Sequence, residues 1–191
     1  QWKFNTKGVV QSTPAVSGGK VFVVSSDGNI YAVNQSTGKP AWMFKTNGEQ
    51  QYGIWDYYLS SPVVENGIVY AGSGDSCVYA LDAGTGRCIW KYKTGGIVHA
   101  TPALAGGVVY IGSYDGNFYA LDAKTGKLKW KFKTVGDAYF PLGEIQKAAV
   151  IVDNTVIFGS RDYNIYVLDA NTGTGKWNMK ELGSWIIATP L

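Results

Sequence analysis

Ala120-Leu-Asp122-Ala-Lys-Thr125-Gly126-Lys-Leu-Lys-Trp130 decides the fold, because the same eleven-residue frame returns along the chain. AVNQSTGKPAW covers 32 to 42, ALDAGTGRCIW 80 to 90 and VLDANTGTGKW 167 to 177, and Trp2 in QWKFNT is the tail of an earlier copy. A period of this kind is the mark of a repeat architecture. Three further segments lie between successive tryptophans. In the third copy they are ATPALA (100 to 105), VVYIGS (108 to 113) and NFYALDA (117 to 123), followed by KLKWKFKT (127 to 134). Each is short and rich in β-formers, so the unit predicts four antiparallel strands in about 44 residues, the signature of a propeller blade.

The turns have identifiable chemistry. Asp27-Gly28 and Asp115-Gly116 supply the positive φ that a tight hairpin needs, and Thr-Gly at 37 to 38, 85 to 86, 125 to 126 and 172 to 173 does so one hairpin later. With one carboxylate per turn there are too few for a calcium loop, so these aspartates read as turn formers. On the fourth strand Leu128, Trp130 and Phe132 are expected on one face and Lys129, Lys131 and Lys133 in solvent. The same parity pairs Trp2 with Phe4, Trp42 with Phe44, Trp90 with Tyr92 and Trp177 with Met179. These five tryptophans are the expected staples between neighbouring blades, and the lysines protect an outer edge from strand addition.

The expectation is therefore an all-β propeller segment over residues 1–191. Its blades fall at about 8–46, 56–94, 97–134 and 145–181, with partial-blade strands at 1–6 and 185–191. Four blades and parts of another do not close a ring, so the remaining blades of a longer chain, or another copy, are expected to complete it. The alternating blade lengths favour eight blades in total.

Composition narrows the function classes. The formal charge is +3 with lysines spread along the chain, and the lysine–aromatic alternation puts rings inside and charges outside, which argues against nucleic acid. No apolar run approaches the roughly 20 residues of a membrane helix. Two cysteines are present, Cys77 and Cys88. If Asp82 pairs with Arg87, Cys88 faces Leu81 while Cys77 faces Tyr92, a stagger of about 13 Å. Both are read as free thiols, with Cys88 on the buried face beside Trp90.

The frame A-x-D-x-x-T-G-x-x-x-W resembles the tryptophan-docking motif of quinoprotein alcohol dehydrogenases, which use pyrroloquinoline quinone (PQQ). It equally resembles the non-catalytic PQQ-like repeat propellers, BamB-type outer-membrane assembly lipoproteins among them. The resemblance covers nearly the whole chain. It implies either a protein-interaction or ligand-sensing scaffold in a periplasmic, outer-membrane-associated or cell-surface setting, or part of a dehydrogenase holding PQQ with calcium. The enzymes of the family imply a vicinal cysteine pair, a calcium site with Glu and Asn ligands and a catalytic Asp. No Cys-Cys pair occurs here, and Glu49, Asp56, Asp137 and Glu144, in the insertions, are the only loose candidates for those acidic roles. No catalytic residue, metal ligand or resident cofactor is therefore assigned.

Tryptophan spacings of 40, 48, 40 and 47 alternate, and the extra residues fall in TNGEQQYGIWDYYLSS (46 to 61) and TVGDAYFPLGEIQKAA (134 to 149). Both connections should emerge at the mouth of the central channel. Loops that carry rings tend to carry binding, so Trp55, Tyr57, Tyr58, Tyr139 and Phe140 are the candidate anchors for a protein partner or small ligand. The alternative is that they cap the blade core, and a surface for stacking sugars is a third reading. Alignment on Pro14, Pro62, Pro102, Ala149 and Pro190 sets Gln11, Leu59, His99, Gln146 and Ile187 in one column. Thr13, Ser61, Thr101 and Thr189 repeat, as packing positions do; the first column does not, so Gln11, His99 and Gln146 are expected to line the channel mouth. His99 has no carboxylate or cysteine companion in its own segment and reads as inert.

Overall fold

The computed structural model describes residues 1–50 and 58–180, the side chain of Lys180 excepted. Four antiparallel sheets follow one another along the chain, each in simple up-and-down order, and no helix occurs among the described residues. Blade 1 is β1 (Ala15–Ser17), β2 (Lys20–Ser25), β3 (Asn29–Asn34) and β4 (Pro40–Lys45). Blade 2 is β5 (Val63–Glu65), β6 (Ile68–Ser73), β7 (Cys77–Asp82) and β8 (Cys88–Lys93). Blade 3 is β9 (Ala103–Ala105), β10 (Val108–Gly112), β11 (Asn117–Asp122) and β12 (Leu128–Lys133). Blade 4 is β13 (Val150–Val152), β14 (Thr155–Gly159), β15 (Asn164–Asp169) and β16 (Gly175–Lys180). Residues 1–6 form no strand, although Trp2 and Phe4 still pack on blade 1.

A bulge sits just before the tryptophan in every blade. Ala120 pairs with Trp130 but Leu121 with Leu128, and the same shift occurs at Ala32/Val33, Ala80/Leu81 and Val167/Leu168. An extra residue reverses side-chain parity on one side of it, which strict alternation does not anticipate. Leu128 therefore leaves the Trp130 face and is largely exposed. Cys77 lies opposite Lys93 rather than Tyr92, and the Cys88 side chain packs toward blade 1, on the face opposite the Trp90 indole, its thiol meeting the Trp90 carbonyl. Both thiols are free.

Blades interlock through three repeated contacts. Each indole donates to the carbonyl that follows the Asn or Asp of the next blade's turn: Trp2 to Gln35 (2.7 Å), Trp42 to Ala83 (3.1 Å), Trp90 to Ala123 (2.9 Å) and Trp130 to Ala170 (2.9 Å). The Thr-Gly glycine lies flat beneath that ring; a Cβ on Gly126 would stand 2.6 Å from Trp90 Cδ2, and φ there is +70°. Gly is thus required twice over, for the turn and for the indole. The aromatic two residues after each tryptophan packs on a tyrosine of the next blade, Phe44 on Tyr79, Tyr92 on Tyr119 and Phe132 on Tyr166.

The third contact is an aspartate. Asp27, Asp75, Asp115 and Asp162 do more than form a turn: each accepts the hydroxyl of the tyrosine four residues on, the backbone N–H two residues on, and an N–H from the chain entering from the preceding blade. Burial, then the bond to Asp27, pushes the Tyr31 hydroxyl up to about 12; Tyr79, Tyr119 and Tyr166 are raised for the same reasons. Two strand-four lysines, exposed as expected, also hydrogen-bond through their ammonium groups. Lys93 donates to the Asp75 carbonyl and Lys133 to those of Asp115 and Leu142.

In the outer hairpins Asp82, Asp122 and Asp169 accept hydrogen bonds from the threonine three residues on, which hold these carboxyls below the usual range. A depressed carboxyl contributes stability above its unfolded value of about 4, lost as pH falls through the folded one. A raised tyrosine contributes below about 10, lost as pH rises toward its folded value. Burial likewise raises the thiols of Cys77 and Cys88, so urea denaturation across pH should show a plateau between about 4 and 9, with loss on both sides; a continuous slope across it would contradict these assignments.

Candidate functional site at the channel mouth

The irregular column comes together at the axis. Gln11, Leu59, His99 and Gln146 line one cavity of about 290 Å³, joined there by Tyr58 and Lys147 from the ends of the two insertions. The Lys147 ammonium lies 3.3 Å from the centre of the Tyr58 ring, so the insertions of blades 2 and 4 meet across the channel. Trp55, Tyr57 and Asp56 lie outside the described residues, as does Ile187.

His99 is not a solitary core histidine. It is 2% exposed, and its Nε2 stands 2.5 Å from Glu49 Oε1, while Glu49 Oε2 accepts the Gly74 N–H at 3.1 Å. The carboxylate comes from the first insertion, fifty residues away, which is why no inspection of the histidine's own segment finds it. Gly74 is needed for the approach, since a Cβ there would collide with that carboxylate. The Tyr114 ring packs edge-on to the imidazole, and Tyr114 Oη accepts Gln146 Nε2 at 2.5 Å. Arg161 completes the wall: it is buried, with its guanidinium over both Tyr114 (5.4 Å) and Phe140 (5.5 Å). Nothing in the repeat pattern singles out Arg161, which occupies the place where the other blades carry Ser26, Gly74 and Tyr114 beside the Asp turn.

The second insertion is braced along its length. The Gly136 N–H reaches Asp162, the Val135 N–H reaches the Tyr166 hydroxyl, and the Thr134 hydroxyl meets the carbonyls of Leu142 and Gly143. A turn closed by Asp137 and Phe140 displays Tyr139, which is 81% exposed, beside exposed Val135 and Leu142. Phe140 itself is half-buried, edge-on to Tyr163, with the Arg161 guanidinium over its ring. The short connection between blades 2 and 3 leaves a second hollow of about 370 Å³, walled by Gln50, Tyr114 and Leu142 over the Gly95-Gly96 backbone.

The blade contacts, with an indole docked on the next Thr-Gly turn, have a counterpart among known families. The sequence matches the family described as outer membrane protein assembly factor BamB over residues 1–61 and 54–183. The chain belongs to the BamB family. No curated protein matches its sequence. Among solved structures it is similar to BamB from Moraxella catarrhalis, with a TM-score of 0.79 and 21% identity over 94% of this chain and 54% of that one. It is also similar to the quinohemoprotein alcohol dehydrogenase of Comamonas testosteroni (TM-score 0.77, 23% identity, 91% of this chain and 35% of that one). A europium-containing methanol dehydrogenase gives a TM-score of 0.78 at 17% identity over 94% of this chain and 43% of its own. This BamB-family chain thus spans about half the length of the BamB it matches, and less of the dehydrogenases. At these identities the likeness is one of fold, a PQQ-like repeat propeller.

Proposed function

We propose that the chain is a non-catalytic binding propeller of the cell envelope, periplasmic or outer-membrane-associated, whose insertion-bearing face receives a protein partner. One observation carries the reading. The departures from the repeat gather on a single face, where both insertions meet at Tyr58 and Lys147 and a braced loop displays Tyr139. Folding does not require that display, since the opening segment and blade 2 run into the next blade without such an insertion and dock by the same indole contacts, Trp2 on Gln35 and Trp90 on Ala123. Membership of the BamB family supports the envelope setting and the partner class.

A dehydrogenase role fits the residues poorly. The axial cavity presents no described carboxylate to a calcium ion, and the two cysteines are neither vicinal nor at the axis. Glu49 is committed to His99 and Gly74, and Asp137 to the Tyr139 N–H. The test has two arms. Tyr139→Ala and Tyr58→Ala are expected to abolish partner capture by cross-linking in envelope extracts, while Lys131→Ala on the outer edge leaves it intact. Equal capture by all three would refute the assignment of the face; dye reduction on adding PQQ, Ca²⁺ and an alcohol would refute the non-catalytic reading.

A further inference from the structure

Two residues before each tryptophan, just past the bulge, one position turns toward the preceding blade. In blade 2 it holds Cys88, opposite Leu81 and packed with Phe44 against the core shared by blades 1 and 2. In blade 3 it holds Leu128, opposite Leu121. In blade 4 it holds Gly175, opposite Leu168 of the core shared by blades 3 and 4. The missing side chain leaves a hollow of about 340 Å³ between the rims of those two blades, walled by Phe132, Val135, Tyr166, Leu168 and Asn178.

The backbone does not ask for this glycine. Its φ is not positive, and a Cβ there would meet Phe132 Cε2 at 3.8 Å and Leu168 Cδ2 at 4.0 Å, ordinary contact distances. The strand glycines Gly72 and Gly112 differ, since a Cβ on either would collide with Val98 or Ile145. A glycine inside a strand weakens it, and where neither turn nor packing requires one it marks the approach of another group.

The hollow offers apolar surface. Phe132 stands edge-on to Tyr166 at 5.4 Å, over Leu168. The polar side chains of the lining already have partners: the Tyr166 hydroxyl donates to Asp162 and accepts the Val135 N–H, the Asn178 amide donates to Asn164, and the Lys176 ammonium donates to Thr155. The mouth runs along the rim, where Gly175, Lys176, Trp177 and Asn178 are exposed. A free molecule there would keep one side in water, whereas a side chain is covered by the segment that carries it. Val135, 71% exposed, both lines the hollow and stands at the head of the loop that displays Tyr139, so the hollow continues the insertion-bearing face.

We infer that the hollow is the anchor pocket for one large apolar side chain, of leucine or phenylalanine size, carried by the protein partner proposed above, and that Gly175 keeps it open. The occupant rests on the reading of that face as partner-binding; the pocket rests on Gly175. In an NMR titration acetyl-leucinamide and acetyl-phenylalaninamide serve as probes, with acetyl-alaninamide and acetyl-glutaminamide as comparisons. Saturable shifts of the Val135 and Lys176 amides are expected with the two large apolar probes alone. Gly175→Leu should weaken them at least tenfold without lowering the melting temperature, because its side chain fills the room the probe takes. Cross-linked capture of the partner should fall at least tenfold in the same variant. Absence of saturation, equal response to the alanine or glutamine probe, unchanged affinity in Gly175→Leu, or a lower melting temperature there would overturn the pocket. Capture lost in Tyr139→Ala but kept in Gly175→Leu would overturn the anchor and leave the face standing; capture kept in both would overturn the two together.

Discussion

Trp130→Ala is expected to cost about 3–5 kcal/mol of unfolding free energy, the range for deleting a buried large aromatic. Trp130 is 9% exposed, wedged between Phe118 and the Gly173 turn, with its N–H on the Ala170 carbonyl. Removal opens a cavity between blades 3 and 4 and strands that carbonyl. The matched comparison is Trp177→Ala, since Trp177 is 55% exposed and has no described blade in front of it; about 1 kcal/mol or less is expected there, as for an exposed residue outside such features. Equal losses in chemical denaturation would show that the tryptophans act within blades and not between them.

The second large effect is expected at Asp162. It is fully buried and holds the Tyr166 hydroxyl, the Asn164 N–H and the Gly136 N–H of the second insertion. Asp162→Ala leaves two buried donors and one half-buried donor without an acceptor, each buried one worth about 1–3 kcal/mol, so a loss of about 3 kcal/mol is expected. The distinctive readout is local: amides of residues 134–143 should exchange with solvent faster, because both ties of Val135 and Gly136 to blade 4 run through the Asp162–Tyr166 pair. Protection unchanged in that segment would remove the aspartate from its bridging role.

The tryptophan frame exposed the fold in the sequence because it fixes strand, turn and docking partner at once. What alternation alone misread traces to one residue per blade, the bulge before each tryptophan. It moved Leu128 to the exposed face and turned the Cys88 side chain to the face opposite the Trp90 indole. The axial column was legible as a break in periodicity, and Gln11, His99 and Gln146 do share one cavity. The His99–Glu49 pair was not, because the two residues are brought together only when the first insertion folds back over Gly74. Arg161 was hidden for a similar reason: its ring partners Tyr114 and Phe140 come from the preceding blade and its long loop.

The division of labour between repeat and insertions is tested most directly by measuring unfolding free energy and partner capture on the same Tyr58→Ala/Tyr139→Ala double variant. Both rings are substantially exposed. Stability within about 1 kcal/mol of the parent, as for two surface changes, together with lost capture is the predicted result. A loss of several kcal/mol with capture intact would make these rings caps of the blade core and contradict the account.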